Sequence, residues 1–115
     1  MHILEFQEEV MKLQGHFPVI CQSPLFMALE LVTETAEAGE KMKKIVRLYG
    51  PDVESGMLTD TERYGVAGEL GDALCCLVKL ASWLEVPIAD IQAIFLTKMD
   101  SRIKRNVQLG SGDAR

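Results

Sequence analysis

Two short acidic motifs have residue types and spacing that could carry out chemistry. They are Glu34-Thr-Ala-Glu37 and Glu69-Leu-Gly-Asp72. Residues three apart on a helix lie on one face, so each motif would present two carboxylates in the same direction. Four converging carboxylates repel one another, so the arrangement needs either raised pKa values or a cation among them. Because ligands that are all oxygen atoms favour a hard ion, the motifs predict a site for Mg²⁺, with Mn²⁺ as a substitute.

Both motifs lie in segments with the periodicity of helices. The second helix is predicted over residues 24–49, with Ser23 as its N-cap and Gly50 at its end. The third is predicted over about 62–84, after capping-box spacing that begins at Thr59. If these two helices lie side by side, the four acids converge.

Two further helices are predicted, over about residues 3–13 and 88–105. The polar segment 50–61 is expected to be a surface loop, and residues 106–115 a flexible tail. We therefore expect one domain over residues 1–105 that folds as an all-α, antiparallel four-helix bundle.

The apolar residues expected in the core share helical spacing. They are Ile3, Phe6, Val10 and Leu13 in the first helix, Leu31, Ala38, Met42, Ile45 and Tyr49 in the second, Val66, Leu70, Ala73, Leu74, Leu77, Ala81 and Leu84 in the third, and Ile88, Ile91, Ile94, Phe95 and Met99 in the fourth. Three glycines, Gly65, Gly68 and Gly71, recur every third residue, which suggests close approach of a neighbouring helix.

The composition bounds the class of protein. With 115 residues and 48% hydrophobic residues, the chain can bury a single core. A net charge of -5 argues against a nucleic-acid partner. No apolar run approaches the roughly 18 residues that a membrane span needs, and the acidic N-terminus does not resemble a signal peptide. A cytoplasmic location without membrane contact is expected.

The three cysteines, Cys21, Cys75 and Cys76, lack the spacing of zinc ligands. We expect reduced thiols, and core filling for the adjacent pair.

On its acidic motifs the chain resembles the MazG-like branch of the all-α nucleoside triphosphate pyrophosphatases. The matching stretches are residues 31–44, 68–84 and 96–102, within a resemblance that covers roughly 25–105. The string Gly-Glu-Leu-Gly-Asp at 68–72 is the most specific part. The resemblance implies a MazG-like fold completed by homo-oligomerisation into a dimer or tetramer. It also implies magnesium-dependent hydrolysis of a ribo- or deoxyribonucleoside triphosphate to monophosphate and pyrophosphate, in a role of cleaning the nucleotide pool.

The resemblance also implies a role for each acid of the two motifs. Glu34, Glu37, Glu69 and Asp72 would be magnesium ligands. Glu34 would in addition position the attacking water and accept its proton, although position alone does not separate it from Glu37. The expected substrate-binding residues share a basic or aromatic side chain; they are Lys41, Lys44, Trp83, Lys98 and Arg102.

Several of these residues have a plainer interpretation. Lys98 and Arg102 match basic positions suited to a triphosphate, but could be solvent-facing charges near a helix end. Lys41 could form a weak surface pair with the glutamate four residues before it. Trp83 and Phe95 could contact the base or could belong to the core.

The chain departs from the family pattern in three places. Thr33 stands where many members have another glutamate, Phe95 stands where asparagine is common, and the connection between the motifs is long.

Two other classes compete with a pyrophosphatase. A di-iron bundle is disfavoured because neither His2 nor His16 follows a glutamate at the required spacing. A non-catalytic helical interaction module remains the alternative.

Overall fold

The computed structural model describes residues 2–16 and 22–105, and these residues form helices without any strand. The helices are α1 (Ile3–Gln14), α2 (Pro24–Tyr49), α3 (Asp60–Trp83) and α4 (Ile88–Lys104), with a short 3-10 turn at Ser55–Met57. The all-α prediction is confirmed, and each helix boundary lies within two residues of its predicted position. Cys21 and the predicted tail 106–115 lie outside the described residues.

The starts of α2 and α3 are fixed by their own side chains. Ser23 Oγ accepts a hydrogen bond from the Phe26 amide at 3.1 Å, as expected for an N-cap. Thr59 Oγ1 accepts from the Glu62 amide at 3.1 Å, while Glu62 Oε1 accepts from the Thr59 amide at 2.8 Å. Glu62 Oε1 also accepts from the Tyr49 hydroxyl at 2.6 Å, so the end of α2 is tied to the start of α3.

The end of α3 has a pair of capping hydrogen bonds that the sequence did not predict. The Glu85 amide donates to the Ser82 carbonyl at 3.1 Å, and the Val86 amide donates to the Ala81 carbonyl at 3.0 Å. This pair of bonds is a Schellman motif, which requires a left-handed residue just after the helix. Glu85 takes that conformation, with φ 59°.

Packing divides the molecule into a helical hairpin and a small apolar core at one end. α2 and α3 run antiparallel along each other, and α1 packs on α3 and α4. The core at the α1 end consists of Val10, Val78, Ala81 and Ile88, against which Ile3, Phe6 and Cys75 are partly buried. The acidic motifs lie between this core and the loop that joins α2 to α3.

The four helices do not close into a bundle within one chain, because α4 packs chiefly on α1. Several residues predicted for the core are instead exposed; they are Leu13, Met42, Leu70, Leu74, Leu77, Leu84, Ile91, Ile94 and Phe95. The cause on α3 is its rotation about its own axis. Glu69, Cys76 and Lys79 are its residues turned towards the hairpin interior, so most of its leucines face outwards.

Gly68 and Gly71 do not mark a close approach of helices within this chain. A Cβ atom added to either glycine would meet no atom of the described residues within 4 Å, so the predicted tight contact is wrong for both within this part of the chain. Gly65 differs, because an added Cβ would lie 3.9 Å from Lys41 Nζ.

The core-filling prediction is confirmed for the adjacent cysteines, both of which are free thiols. Cys76 is only 3% exposed. Burial raises the pKa of the Cys76 thiol to about 11, so that it stays protonated at neutral pH.

None of the helices in the described part of the chain combines the length and the apolar character that crossing a bilayer requires.

Candidate metal centre

Three carboxylates from the two acidic motifs meet between α2 and α3. Glu34 and Glu37 come from α2 and Glu69 comes from α3, and one oxygen of each lies within 4.8 Å of the others. The antiparallel pairing produces this meeting, because the middle of α2 lies opposite the first half of α3. We call these three residues the acidic trio.

Asp72, the fourth predicted ligand, lies outside the acidic trio. It is exposed, one helical turn beyond Glu69, and its side chain is one methylene shorter than that of glutamate. It still lies close enough to Glu34 to help raise the pKa of that residue. Thr33 adds no carboxylate, and its hydroxyl donates to the Leu29 carbonyl at 3.0 Å.

Glu34 experiences the crowding of the acidic trio most directly. Burial raises its pKa above the ordinary value, and the neighbouring carboxylate of Glu37 adds to the increase. One oxygen of Glu34 and one of Glu69, Oε2 in each case, are buried and have no hydrogen-bond partner among residues 2–16 and 22–105. Buried polar oxygens normally have a partner, so these two atoms are open positions for a ligand.

Lys41 pairs with the acidic trio on the side nearest the interhelical loop. Its Nζ lies 3.0 Å from Glu69 Oε1 and donates to the Gly65 carbonyl at 3.3 Å. The hydrogen bond from Lys41 lowers the pKa of Glu69 despite the burial of that carboxyl group. The ion pair of Lys41 is thus with Glu69 on the facing helix, not with Glu37 as in the plainer interpretation.

A second lysine lies on the other side of the acidic trio, towards the apolar core. Lys79 Nζ pairs with Glu30 at 3.2 Å, and the Lys79 side chain is only 4% exposed. Lys79 was not among the site residues predicted from the sequence. A signal was present, because Lys79 interrupts an apolar run and lies seven residues after Asp72, on the same helical face.

A groove opens beside Lys41 between the second half of α2 and the first half of α3. Its volume is about 310 Å³, and Lys41, Lys44 and Gly65 are among its lining residues. Because Lys41 also contacts Glu69, the groove adjoins the acidic trio. Two of the predicted substrate-binding residues thus lie beside the carboxylates.

The other predicted substrate-binding residues lie elsewhere. Trp83 is exposed at the end of α3, about 16 Å along the helix axis from Asp72 at a rise of about 1.5 Å per residue. Lys98 and Arg102 belong to α4, which packs chiefly on α1. Phe95 on the same helix is exposed.

Comparison with known proteins shows a similarity to a bacteriophage protein. The chain is 34% identical over 90 residues to the Gene 37 protein of Mycobacterium phage L5, a match that covers 78% of this chain and 75% of that protein. No family model matches the chain. No solved structure matches it either.

Proposed function

This chain belongs to the family of the Gene 37 protein of Mycobacterium phage L5, and we propose that it hydrolyses a nucleoside triphosphate to the monophosphate and pyrophosphate. The name of that relative states no activity. The meeting of Glu34, Glu37 and Glu69 from two helices, with two buried carboxylate oxygens lacking partners, supports the proposal best. We further propose a MazG-like fold, on the resemblance of the acidic motifs.

The residues present fit a hard divalent ion. Glu34, Glu37 and Glu69 offer only carboxylate oxygens, the ligand type that Mg²⁺ and Mn²⁺ prefer. Oε2 of Glu34 and Oε2 of Glu69 have no hydrogen-bond partner in the part of the chain that the structure describes. When bound, Mg²⁺ supplies charge neutralisation of the phosphate oxygens and helps to orient the phosphate chain.

Glu34 is the residue we assign as proton acceptor. Its raised pKa makes it a stronger base than an ordinary glutamate, which suits removal of a proton from an attacking water. Its position in the acidic trio lets the same side chain help to hold the metal. Glu37, exposed beside it on α2, remains the second candidate for the role.

Lys41 and Lys44 would receive the phosphate chain. Both line the groove beside the acidic trio, and their positive charges suit an anionic ligand. Lys98 and Arg102 contribute in this scheme only if a second copy of the chain brings its α4 to the site, which is one reason to propose a homodimer or homotetramer. Base contacts by Trp83 would need the same arrangement.

A non-catalytic interaction module is the second candidate. The exposed leucines of α3 favour it, because contiguous apolar surface commonly marks a site of protein association. This candidate predicts that the acidic trio has no role in any turnover.

The deciding experiment measures pyrophosphate and monophosphate release from a panel of ribo- and deoxyribonucleoside triphosphates with Mg²⁺. We expect release that stops on addition of EDTA and falls at least about 100-fold in Glu69→Gln, since the ligand lost is central to the proposed metal site. Glu40→Gln is the matched control, because Glu40 lies on α2 but pairs at the surface with Lys43.

Full activity in Glu40→Gln together with loss in Glu69→Gln would support the assigned site. No release from any nucleotide by the folded, Mg²⁺-supplied protein would contradict the proposal and favour the interaction module.

A further inference from the structure

Lys41 is placed to interact with both parts of the proposed site. Its ammonium group contacts Glu69 of the acidic trio at 3.0 Å, and its side chain also lines the groove that Lys44 shares. The Lys41 side chain is 45% exposed, compared with 17% for Glu69. The lysine therefore approaches the carboxylate from the solvent side and has room to move.

In the arrangement described here, Lys41 is the counter-ion of Glu69. The carboxylates of the acidic trio repel one another, and the ion pair with Lys41 offsets part of that repulsion. A divalent cation held by Glu69 would neutralise the same carboxylate. It would also repel the ammonium group, so the ion and Lys41 compete for Glu69.

The displaced ammonium group would have an accessible place to go. The groove lies directly beside it, and a second cation, Lys44, lines the same space. Lys44 forms no ion pair within residues 2–16 and 22–105. Glu62 lines the same groove, but its carboxylate already accepts hydrogen bonds from the Tyr49 hydroxyl and the Thr59 amide. The two ammonium groups beside this space therefore form a suitable place for a phosphate group.

We propose that Lys41 exchanges partners, neutralising Glu69 while the acidic trio lacks a divalent ion and turning into the groove to bind a phosphate group once the ion is bound. This exchange presupposes the proposed magnesium site. It makes cation binding and anion binding mutually favourable, and that coupling depends on one side chain. A triphosphate arriving before the metal would meet a lysine that is still paired with Glu69.

The first test measures Mg²⁺ binding alone, by calorimetry, in the full chain and three variants. We expect Lys41→Gln to bind Mg²⁺ about fivefold more tightly, because this variant lacks the one ion pair that competes with the metal for Glu69. Lys44→Gln, the matched control, should stay within about twofold, because an unpaired exposed charge acts weakly through solvent. Glu69→Gln should lose most of the affinity.

The second test uses sulfate as a tetrahedral dianion and follows the lysine side-chain signals by NMR. In the unsubstituted protein, saturating Mg²⁺ should raise the affinity for sulfate. Lys41→Gln should abolish that increase, while Lys44→Gln should weaken sulfate binding by the same factor with and without Mg²⁺.

The outcomes separate the exchange from the function on which it rests. If the unsubstituted protein binds Mg²⁺ but Lys41→Gln binds it equally or less tightly, the exchange is wrong and the metal site stands. If Mg²⁺ does not bind at all, both the exchange and the proposed hydrolysis are wrong.

Discussion

Glu34 is held in an environment that disfavours its charge. Burial raises its pKa first, and the carboxylates of Glu37, Asp72 and Glu69 raise it further. A carboxyl group whose pKa is raised on folding contributes stability in its protonated form, below its unfolded pKa. That contribution is lost as the pH rises through the higher folded pKa. At neutral pH and without metal, the ionised side chain therefore opposes folding.

Replacing Glu34 with the isosteric glutamine should stabilise the metal-free protein. Glutamine resembles the protonated acid, so Glu34→Gln should raise the free energy of unfolding at pH 7.5 by about 0.5–1 kcal/mol, the size of one exposed charge pair. Urea denaturation in EDTA measures the change. The gain should shrink towards pH 4, where the natural side chain takes up its own proton.

Mg²⁺ should reverse this order, because the unsubstituted protein gains stability from the ion and Glu34→Gln gains less. Glu40→Gln is the control, since interaction with Lys43 lowers the pKa of Glu40. That variant should lose stability slightly or not change. A Glu34→Gln protein that is less stable than the unsubstituted one in EDTA would show that the carboxylates do not repel as described.

The sequence predicted the three carboxylates that meet, although it also included Asp72, and it did not predict which cations accompany them. Spacing within one helix places Glu34 and Glu37 on one face, and this needs no knowledge of the neighbouring helix. The pairs of Lys41 with Glu69 and of Lys79 with Glu30 join residues 28 and 49 positions apart. Such pairs depend on how far α2 and α3 are shifted along each other, which no local pattern specifies.

The starts of the helices were predictable because the N-cap residues that mark them are local in the sequence. Ser23 and Thr59 are common N-cap residues, and both act as caps. The end of α3 was predicted near residue 84, as observed, but the Schellman motif that closes the helix at Glu85 was not predicted. Glutamate gives no sequence signal for a left-handed conformation, which glycine or asparagine would give.

Glu85 and Gly50, which follow the ends of α3 and α2, both have positive φ, and we expect opposite effects of substitution at the two positions. Glu85→Gly should stabilise the protein by about 1 kcal/mol, because the side chain at φ 59° carries a steric cost that glycine avoids. Gly50→Ala should destabilise it by about 1–3 kcal/mol, because φ 99° and ψ 166° is a region that only glycine tolerates.

Chemical denaturation of both variants measures these differences directly. A Cβ at residue 50 would meet nothing within 4 Å, so a loss of stability in Gly50→Ala would come from the backbone alone. Destabilisation by Glu85→Gly would instead indicate that the Glu85 side chain makes contacts that outweigh its strained backbone.

The rotation of α3 about its own axis differs most from the prediction. Leu70, Leu74 and Leu77 formed an apolar stripe that was assigned to the core, yet all three are exposed. The face that meets α2 instead carries Glu69 and Lys79. Apolar periodicity identifies a face that needs burial, but it does not say whether the same chain supplies the cover.

The whole molecule is less compact than its length suggests. Its Cα radius of gyration is 17.1 Å, against roughly 13 Å for a compact domain of about this size. Large apolar side chains are exposed on α3 and α4, and α4 packs chiefly on α1. These features agree with a fold that is completed by another copy of the chain, as we propose.

Association should therefore be measurable. At micromolar concentration, sedimentation should show a species at least twice the 12.8 kDa of one chain. The double variant Leu74→Ser with Leu77→Ser should shift the equilibrium towards monomer by at least about tenfold, since two apolar side chains lose their burial. Leu25→Ser, exposed at the start of α2, is the control.

A 12.8 kDa species alone at these concentrations would contradict the proposed homo-oligomer. A shift in Leu25→Ser as large as that in the double variant would place the interface elsewhere.

The hydrogen bond between Tyr49 and Glu62 has a consequence for how this protein can change over evolutionary time. It joins the two helices at the near side of the loop, and Glu62 also caps α3. The loop beyond this junction can lengthen or shorten at little cost without moving the helices it connects. The geometry of the carboxylates, about 18 Å away along α2 at about 1.5 Å per residue, is thereby insulated from insertions and deletions at the tip of the hairpin.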